Sequence, residues 1–311
     1  MRLAHLSDLH VLDMQGISPW RFFNKRLLGG ANLLLGRAKA HQPHLLEAAL
    51  EEIQRLGCEH VVVSGDLTNL GLESEFARVA AILRRHCRPE QVTLVPGNHD
   101  RYTLGAALAG RFERGMAEWL VNDLPVMSGG RAWPKVRLLG PVALIAVDSA
   151  PPQPWLVSGG WVGPSQRQAL ATLLRHPDVE SRRKVVLMHH HLQRPPHKKR
   201  EFPRGLLDRR RVLAVLGQGG VEVVLHGHNH RRQVQRIDVG SGTPLVVCEA
   251  GSTTVARARD TALLGKFNVY GFSPHGLDEV LTYLWQPRAQ RFVAWKQVTF
   301  SVDGAMTERS L

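Results

Sequence analysis

At 311 residues with 43% hydrophobic content, the chain is long enough to bury a sizeable core, and its 40 Lys and Arg against 27 Asp and Glu leave a formal charge of +13 that favours anionic partners and disfavours basic ones. Three cysteines, Cys58, Cys87 and Cys248, with no CxxC pair exclude a disulfide framework, and no apolar run approaches the ~20 residues that span a bilayer. The first ten residues lack a basic stretch followed by an apolar segment, so the expectation is a cytoplasmic protein, soluble or peripheral to the inner face of a membrane. Such a surplus of positive charge suits phosphate substrates, anionic lipid or nucleic acid. Aromatics are only 6% and do not interleave with basic residues, which makes nucleic acid the weaker fit.

Taken in chain order, short apolar runs end in polar residues and alternate with helical patterns. Arg2–Ser7 reads as a strand followed by Asp8-Leu9-His10. His44–Leu56 repeats apolar residues at helical spacing, and Val61–Val63 is a strand ending in Ser64-Gly65-Asp66. Glu73–His86 is a helix; Val92–Val95 is a strand ending in Pro96-Gly97-Asn98-His99-Asp100; Arg111–Val121 reads as helical. The strand Val142–Val147 precedes Asp148-Ser149, and Pro164–Leu174 is a helix opened by proline. Val185–Met188 is a strand ending in His189-His190-His191, Asp208–Leu216 a helix, and Val221–Leu225 a strand ending in His226-Gly227-His228-Asn229-His230. Leu245–Cys248, Leu281–Trp285 and Phe292–Phe300 are strand-like without helices between them. Early alternation with a strand-rich tail gives an α/β expectation: a four-layer ββ sandwich flanked by helices, one domain over 1–311. Two stretches stand out as additions, an amphipathic insert over 11–43 and a basic loop over 194–211.

Asp, Asn and His recur where strands end, and in open α/β sheets ligands bind beyond the carboxyl ends of the strands. Asp8, His10, Asp66, Asn98, His189, His228 and His230 are therefore delivered to one edge. Asp8/His10 and His228/His230 are two residues apart, a spacing that points side chains the same way on an extended segment. Gly65, Gly97 and Gly227 are read as allowing sharp turns before the ligands. Oxygen and nitrogen donors without thiolate suit Mn, Fe or Zn, and seven donors exceed the needs of one ion, so two divalent or mixed-valence ions sharing a carboxylate are expected. Asp-x-His or Gly-Asp alone is a commonplace turn; His-Gly-His-Asn-His is more specific, and the ordered conjunction of all five pieces is what carries weight.

That ordered set, Asp8-Leu9-His10, Gly65-Asp66, Gly97-Asn98-His99-Asp100, His189 and Gly227-His228-Asn229-His230, closely resembles the calcineurin-like metallophosphoesterase superfamily from Arg2 to about Ala250. The resemblance implies that Asp8, His10, Asp66 and His230 hold one ion and that Asp66, Asn98, His189 and His228 hold the other, with Asp66 bridging. His99 is then the catalytic residue that contacts the scissile phosphate. The implied chemistry is hydrolysis of a phosphodiester or pyrophosphate by hydroxide generated between ions about 3.5–4 Å apart. Asp100 reads as structural, and His5 and His226 as core or supporting groups; His190 and His191 stay open.

The flanks bear on substrate. Trp20, Phe23, Leu27, Ala31 and Leu34 follow near-helical spacing among Arg21, Lys25, Arg26 and Arg37, as in helices that lie on anionic membranes, or as in a surface helix packed on the core. Arg194, Lys198, Lys199, Arg200, Arg204 and Arg209–Arg211 follow His189 and should rim the site. Gly160–Leu174 resembles the cyclic-nucleotide phosphodiesterase branch, although Leu192-Gln193-Arg194 separates the histidines from Pro195. The apolar, basic insert fits instead a hydrolase of a lipid-linked nucleotide pyrophosphate of the UDP-diacylglucosamine type. A nucleic-acid nuclease or a non-catalytic scaffold is the third alternative, against which the intact ligand set argues.

Overall fold

The computed structural model describes residues 1–15, 40–124, 133–152, 158–193, 204–240, 242, 244–301 and 305–311. The body of the 11–43 insert and the first part of the 194–211 loop lie outside these residues, and with them the amphipathic reading of Trp20–Leu34.

Two mixed sheets form the centre. The seven-stranded sheet contains β1 (Arg2–Leu6), β2 (His60–Val63), β3 (Val92–Leu94), β10 (Lys266–Ser273), β11 (Gly276–Gln286), β12 (Arg291–Phe300) and β13 (Met306–Ser310), ordered β13-β12-β11-β10-β1-β2-β3. The six-stranded sheet contains β4 (Lys135–Leu139), β5 (Val142–Ala146), β6 (Arg183–Leu187), β7 (Val223–His226), β8 (Gln233–Ile237) and β9 (Leu245–Glu249), ordered β4-β5-β6-β7-β9-β8. β1, β2 and β3 run parallel, as do β5, β6, β7 and β9, so their carboxyl ends align within each sheet.

Strand alternation places the second sheet between two cores. Val142, Leu144, Val185, Leu187, Val223 and Leu225 belong to the large core shared with the first sheet. Their neighbours Ala143, Ile145, Val186 and Val224 pack with Leu170 and Leu173 of α5 (Pro164–Leu173) and with Val212 and Leu216 of α7 (Arg209–Gln218). The first sheet is covered by α1 (Pro43–Arg55), through Leu46, Ala49 and Leu50, and by α2 (Glu73–His86), through Phe76, Val79 and Leu83. The result is the helix–sheet–sheet–helix sandwich expected from the sequence.

Some elements depart from the expectation. Arg111–Val121 is not one helix: α4 (Arg111–Gly115) stops and a 3-10 turn over Ala117–Trp119 follows. Gly115 is the reason, since a Cβ there would lie 2.7 Å from Phe76 Cβ, so close packing on α2 requires the residue that weakens the helix. The short helices α3 (Leu104–Leu108) and α6 (Pro177–Glu180) and the strands β4, β8, β10 and β13 were not expected. β13 is exposed throughout and β8 carries three polar residues, so neither has an apolar signal.

β10 is central, yet it buries Lys266 and Asn268 as well as Tyr270. The Lys266 ammonium has no hydrogen-bond partner among the described residues, and burial pushes its pKa down to about 8 despite the Glu249 carboxylate. The penalty for burying this charge builds as pH falls from the ordinary lysine value of 10.5 to about 8 and is full below that. Lys266→Met should therefore stabilise the fold by about 2–3 kcal/mol near pH 6 and by less near pH 10. Urea unfolding at the two pH values measures this; a variant less stable than wild type at pH 6 would mean that the ammonium is satisfied.

Candidate metal centre

The ligand loops are held together beyond the strand ends by backbone hydrogen bonds. Asp8 N donates to Gly65 O (3.1 Å), His10 N to Asp66 O (2.9 Å) and Val11 N to Leu67 O (2.9 Å). Asp100 fastens the third loop: its carboxylate accepts from Gly97 N (2.8 Å), Leu67 N (3.2 Å), and the backbone N and hydroxyl of Thr68 (2.9 and 2.8 Å). Its position is structural, as read from the sequence.

The side chains converge for a reason other than the one expected. Asp8, His10, Asp66, His228 and His230 all have positive φ, from 44° to 81°, so the ligand pairs do not lie on extended segments. Left-handed backbone at five non-glycine residues is costly and is sustained only where surrounding structure over-determines it, as at functional sites. The glycines also divide in role. Gly65 is left-handed (φ 95°), whereas Gly97 and Gly227 provide space rather than a positive-φ turn. A Cβ on Gly97 would lie 2.2 Å from Asp66 Oδ1, and one on Gly227 would lie 1.9 Å from Ser7 Oγ and 2.5 Å from Asp8 Oδ2. Gly97→Ala should accordingly displace the Asp66 carboxylate and lower turnover by at least ~10²-fold, the order expected for an ångström-scale misplacement. Metal content should fall with it while circular dichroism stays native; normal metal content would show that the loop yields instead.

Two clusters meet at one oxygen. On one side, Asp66 Oδ2 is 3.8 Å from His10 Nε2, which is 3.1 Å from His230 Nε2; that nitrogen is 3.3 Å from Asp8 Oδ1. On the other, Asp66 Oδ2 is 3.6 Å from His189 Nε2, which is 3.1 Å from Asn98 Oδ1 and 3.2 Å from His228 Nδ1. All seven sequence-predicted donors are thus brought together. His189 Nδ1 lies 2.7 Å from the carbonyl of Ser64, which only accepts, so Nδ1 carries the proton and Nε2 turns its lone pair toward Asn98 and Asp66. Acceptors facing one another in a buried space need a proton or a cation between them.

The electrostatics agree. Burial pushes Asp66 up to about 7, even with His189 beside it. Burial would also raise Asp8, but His230, His189 and the Ser7 hydroxyl outweigh it and hold this carboxyl below its ordinary range. Burial lowers His189, yet the Asp66 and Asp8 carboxylates leave it raised. His228 is pushed well down by burial and neighbouring imidazoles, which leaves it the neutral donor a metal needs. Among the described residues, Asp8/Asp66/His189 and His10/Asp66/His99 each present ligand atoms within 4.8 Å of one another. The donor set fits two borderline cations. No thiol competes: burial raises Cys58 and Cys87 to about 11 and Cys248 to about 12.

A family model for the calcineurin-like phosphoesterases matches residues 1–232. The chain belongs to this family. The phosphoesterase is therefore a metal-dependent hydrolase acting on phosphoric ester bonds, and its family implies two metal ions. Among solved structures, its fold is similar to that of a dimetal phosphatase from Danio rerio, with 15% identity and a TM-score of 0.60 over 90% of this chain and 94% of that one. It is also similar to purple acid phosphatase PPD1 from yellow lupin, Lupinus luteus, with 12% identity and a TM-score of 0.59 over 94% of this chain and 52% of that one. At these identities the likeness is one of fold. No curated protein matches the phosphoesterase. No helix among its described residues is long and apolar enough to cross a membrane.

Around the centre stand histidines that the sequence had singled out and a hydroxyl cradle that it had not. His99 donates Nδ1–H to Asn69 O at 2.7 Å, while its backbone N donates to Asp66 Oδ1 at 2.8 Å. His190 uses both ring nitrogens, accepting from Ser149 Oγ (2.9 Å) and donating to Ser158 O (3.1 Å), so it supports the site rather than supplying a free donor. His5 and His226 are buried, and burial pushes each down to about 3. Ser252-Thr253-Thr254 cradles the first ligand loop: Ser252 Oγ donates to Asp8 O, Thr253 Oγ1 accepts from Ser7 N, and Thr254 Oγ1 donates to Leu9 O. Gly251 followed by three hydroxyl residues after a strand was the available clue.

Proposed function

We propose that this phosphoesterase hydrolyses a phosphodiester or pyrophosphate bond at a two-ion centre. Asp8, His10, Asp66 and His230 would hold one ion, and Asp66, Asn98, His189 and His228 the other. The observation that supports this reading most is the single oxygen, Asp66 Oδ2, facing both donor clusters. When bound, ions of the Mn, Fe or Zn class supply Lewis-acid polarisation of the phosphoryl group and an acidified water. The protein's own contributions are distinct. Asn98, a neutral donor, spares an anionic substrate one further negative charge. His99 holds Nε2 toward the phosphoryl group, its ring fixed by the Nδ1–H bond to Asn69, and there steadies developing charge or protonates the leaving oxygen. The core shared by both sheets supports reading 1–311 as one phosphoesterase domain carrying the 11–43 insert and the 194–211 loop.

The test is a substrate panel with added Mn²⁺ or Zn²⁺. Diesters and pyrophosphates should turn over faster than phosphomonoesters; turnover of monoesters alone would refute the diester reading. A second reading, a lipid-linked nucleotide pyrophosphate cleaved at a membrane surface, is favoured by two exposed leucines. Leu104 and Leu108 of α3 are 61% and 79% exposed. They follow Tyr102, whose ring centroid lies 5.3 Å from that of His99 and which, like Leu12 at the start of the insert, packs on Leu70 and Leu72. Binding of the wild type to anionic vesicles, lost in Leu104→Glu/Leu108→Glu, would support it.

A further inference from the structure

We propose that His41 is a third imidazole donor to the ion assigned above to Asp8, His10, Asp66 and His230. This rests on the two-ion reading and extends it to a residue outside every motif of the sequence. His41 is buried, and its ring centroid lies 4.8 Å from that of His10 and 5.9 Å from that of His230. One ring nitrogen of each of the three histidines lies within 4.8 Å of the other two.

The backbone fixes where His41 stands. It forms an antiparallel bridge to Val255, flanked by Gln42 N donating to Thr254 O (2.9 Å) and Ala256 N donating to Ala40 O (2.9 Å). The tautomer follows from one hydroxyl. Thr254 Oγ1 has a single hydrogen and gives it to Leu9 O at 2.6 Å. The same oxygen is 2.8 Å from His41 Nδ1, so it accepts there and Nδ1 carries the proton. The lone pair is then on Nε2. A histidine ligand characteristically has this arrangement, one nitrogen donating to a fixed oxygen and the other presented to the metal. The same Thr254 hydroxyl ties Leu9, between Asp8 and His10, to His41, so the cradle that places two donors also orients the third.

A further imidazole changes the ion that the position prefers. Two carboxylates with two imidazoles tolerate Mn²⁺; three imidazoles shift preference toward Zn²⁺, Fe or Co²⁺. The probe is Zn²⁺ itself, titrated into metal-free full-length protein against a chromophoric chelator. Wild type should bind two ions. His41→Phe, which keeps an aromatic ring against His10 and removes both nitrogens, should hold one ion at least ~10-fold more weakly and the other unchanged, and should lose zinc-over-manganese preference. Thr254→Val, which removes the acceptor for Nδ1–H, should weaken the same ion by a smaller factor. If the Phe variant does not fold, unchanged zinc affinity in Thr254→Val overturns the assignment. A folded His41→Phe protein holding both ions as tightly as wild type overturns it too. Wild type binding fewer than two ions would instead overturn the two-ion reading beneath it.

Discussion

Asp66→Ala is expected to strip both ions and lower hydrolysis by at least ~10³-fold. Asp66 Oδ2 faces the His10/His230 cluster and the Asn98/His189/His228 cluster alike, and Asp66 is the donor assigned above to both ions. Removing it leaves both sets of donors without their shared anion. Attack then depends on water of pKa 15.7 rather than on one acidified toward ~7. Asn98→Ala, by contrast, should weaken one ion and leave the other. Asp66 has a second, opposite effect in the metal-free protein. Burial raises its pKa to about 7, so the folded apo form favours the protonated acid, and its stability falls as pH rises from the ordinary carboxylate range through 7. The metal-free Asp66→Asn protein should thus melt higher than metal-free wild type at pH 8, and the gap should close near pH 4. Metal analysis and thermal melts of chelated samples measure both effects. Full turnover by a metal-free Asp66→Ala protein would refute the role assigned to this carboxylate.

His99→Ala should lower kcat by about 10²–10⁴-fold while leaving metal content near normal. The imidazole is held at Nδ1 by the Asn69 carbonyl and sits edge-on to His10, with ring centroids 4.7 Å apart, so Nε2 is placed at the centre without being one of the seven assigned donors. If it protonates the leaving oxygen, the loss should be small for p-nitrophenolate, which leaves without a proton, and large for an alkoxide. Equal losses for both would leave charge stabilisation at the phosphoryl group as its role. Loss of an ion in the variant would instead make His99 a ligand, an arrangement its proximity to His10 and Asp66 makes measurable.

The sequence was most informative where chemistry forces residue types. All seven donors that the motifs named converge, because Asp, Asn and His at the carboxyl ends of parallel strands have no comparable use in a core. It was less informative about how they converge. Alternation along an extended chain would have sufficed, but the left-handed backbone at Asp8, His10, His228 and His230 has no pattern in residue type, since these residues are not glycines. Gly97 and Gly227 were read as sharp turns and are clearances for carboxylate and hydroxyl atoms. β10 alternates polar and apolar residues from Lys266 to Val269, a strand pattern that was passed over; what no pattern in the sequence reveals is that its polar face, Lys266 and Asn268, is buried as well. His41 was hidden differently. Its place depends on a bridge to Val255, more than two hundred residues away, and no local spacing encodes that.

Anomalous diffraction from crystals grown with Mn²⁺ tests the central claim most directly. Two peaks should appear about 3.5–4 Å apart with the Asp66 carboxylate between them, one against Asp8, His10 and His230, the other against Asn98, His189 and His228. A single peak, or peaks away from Asp66, would contradict the two-ion centre.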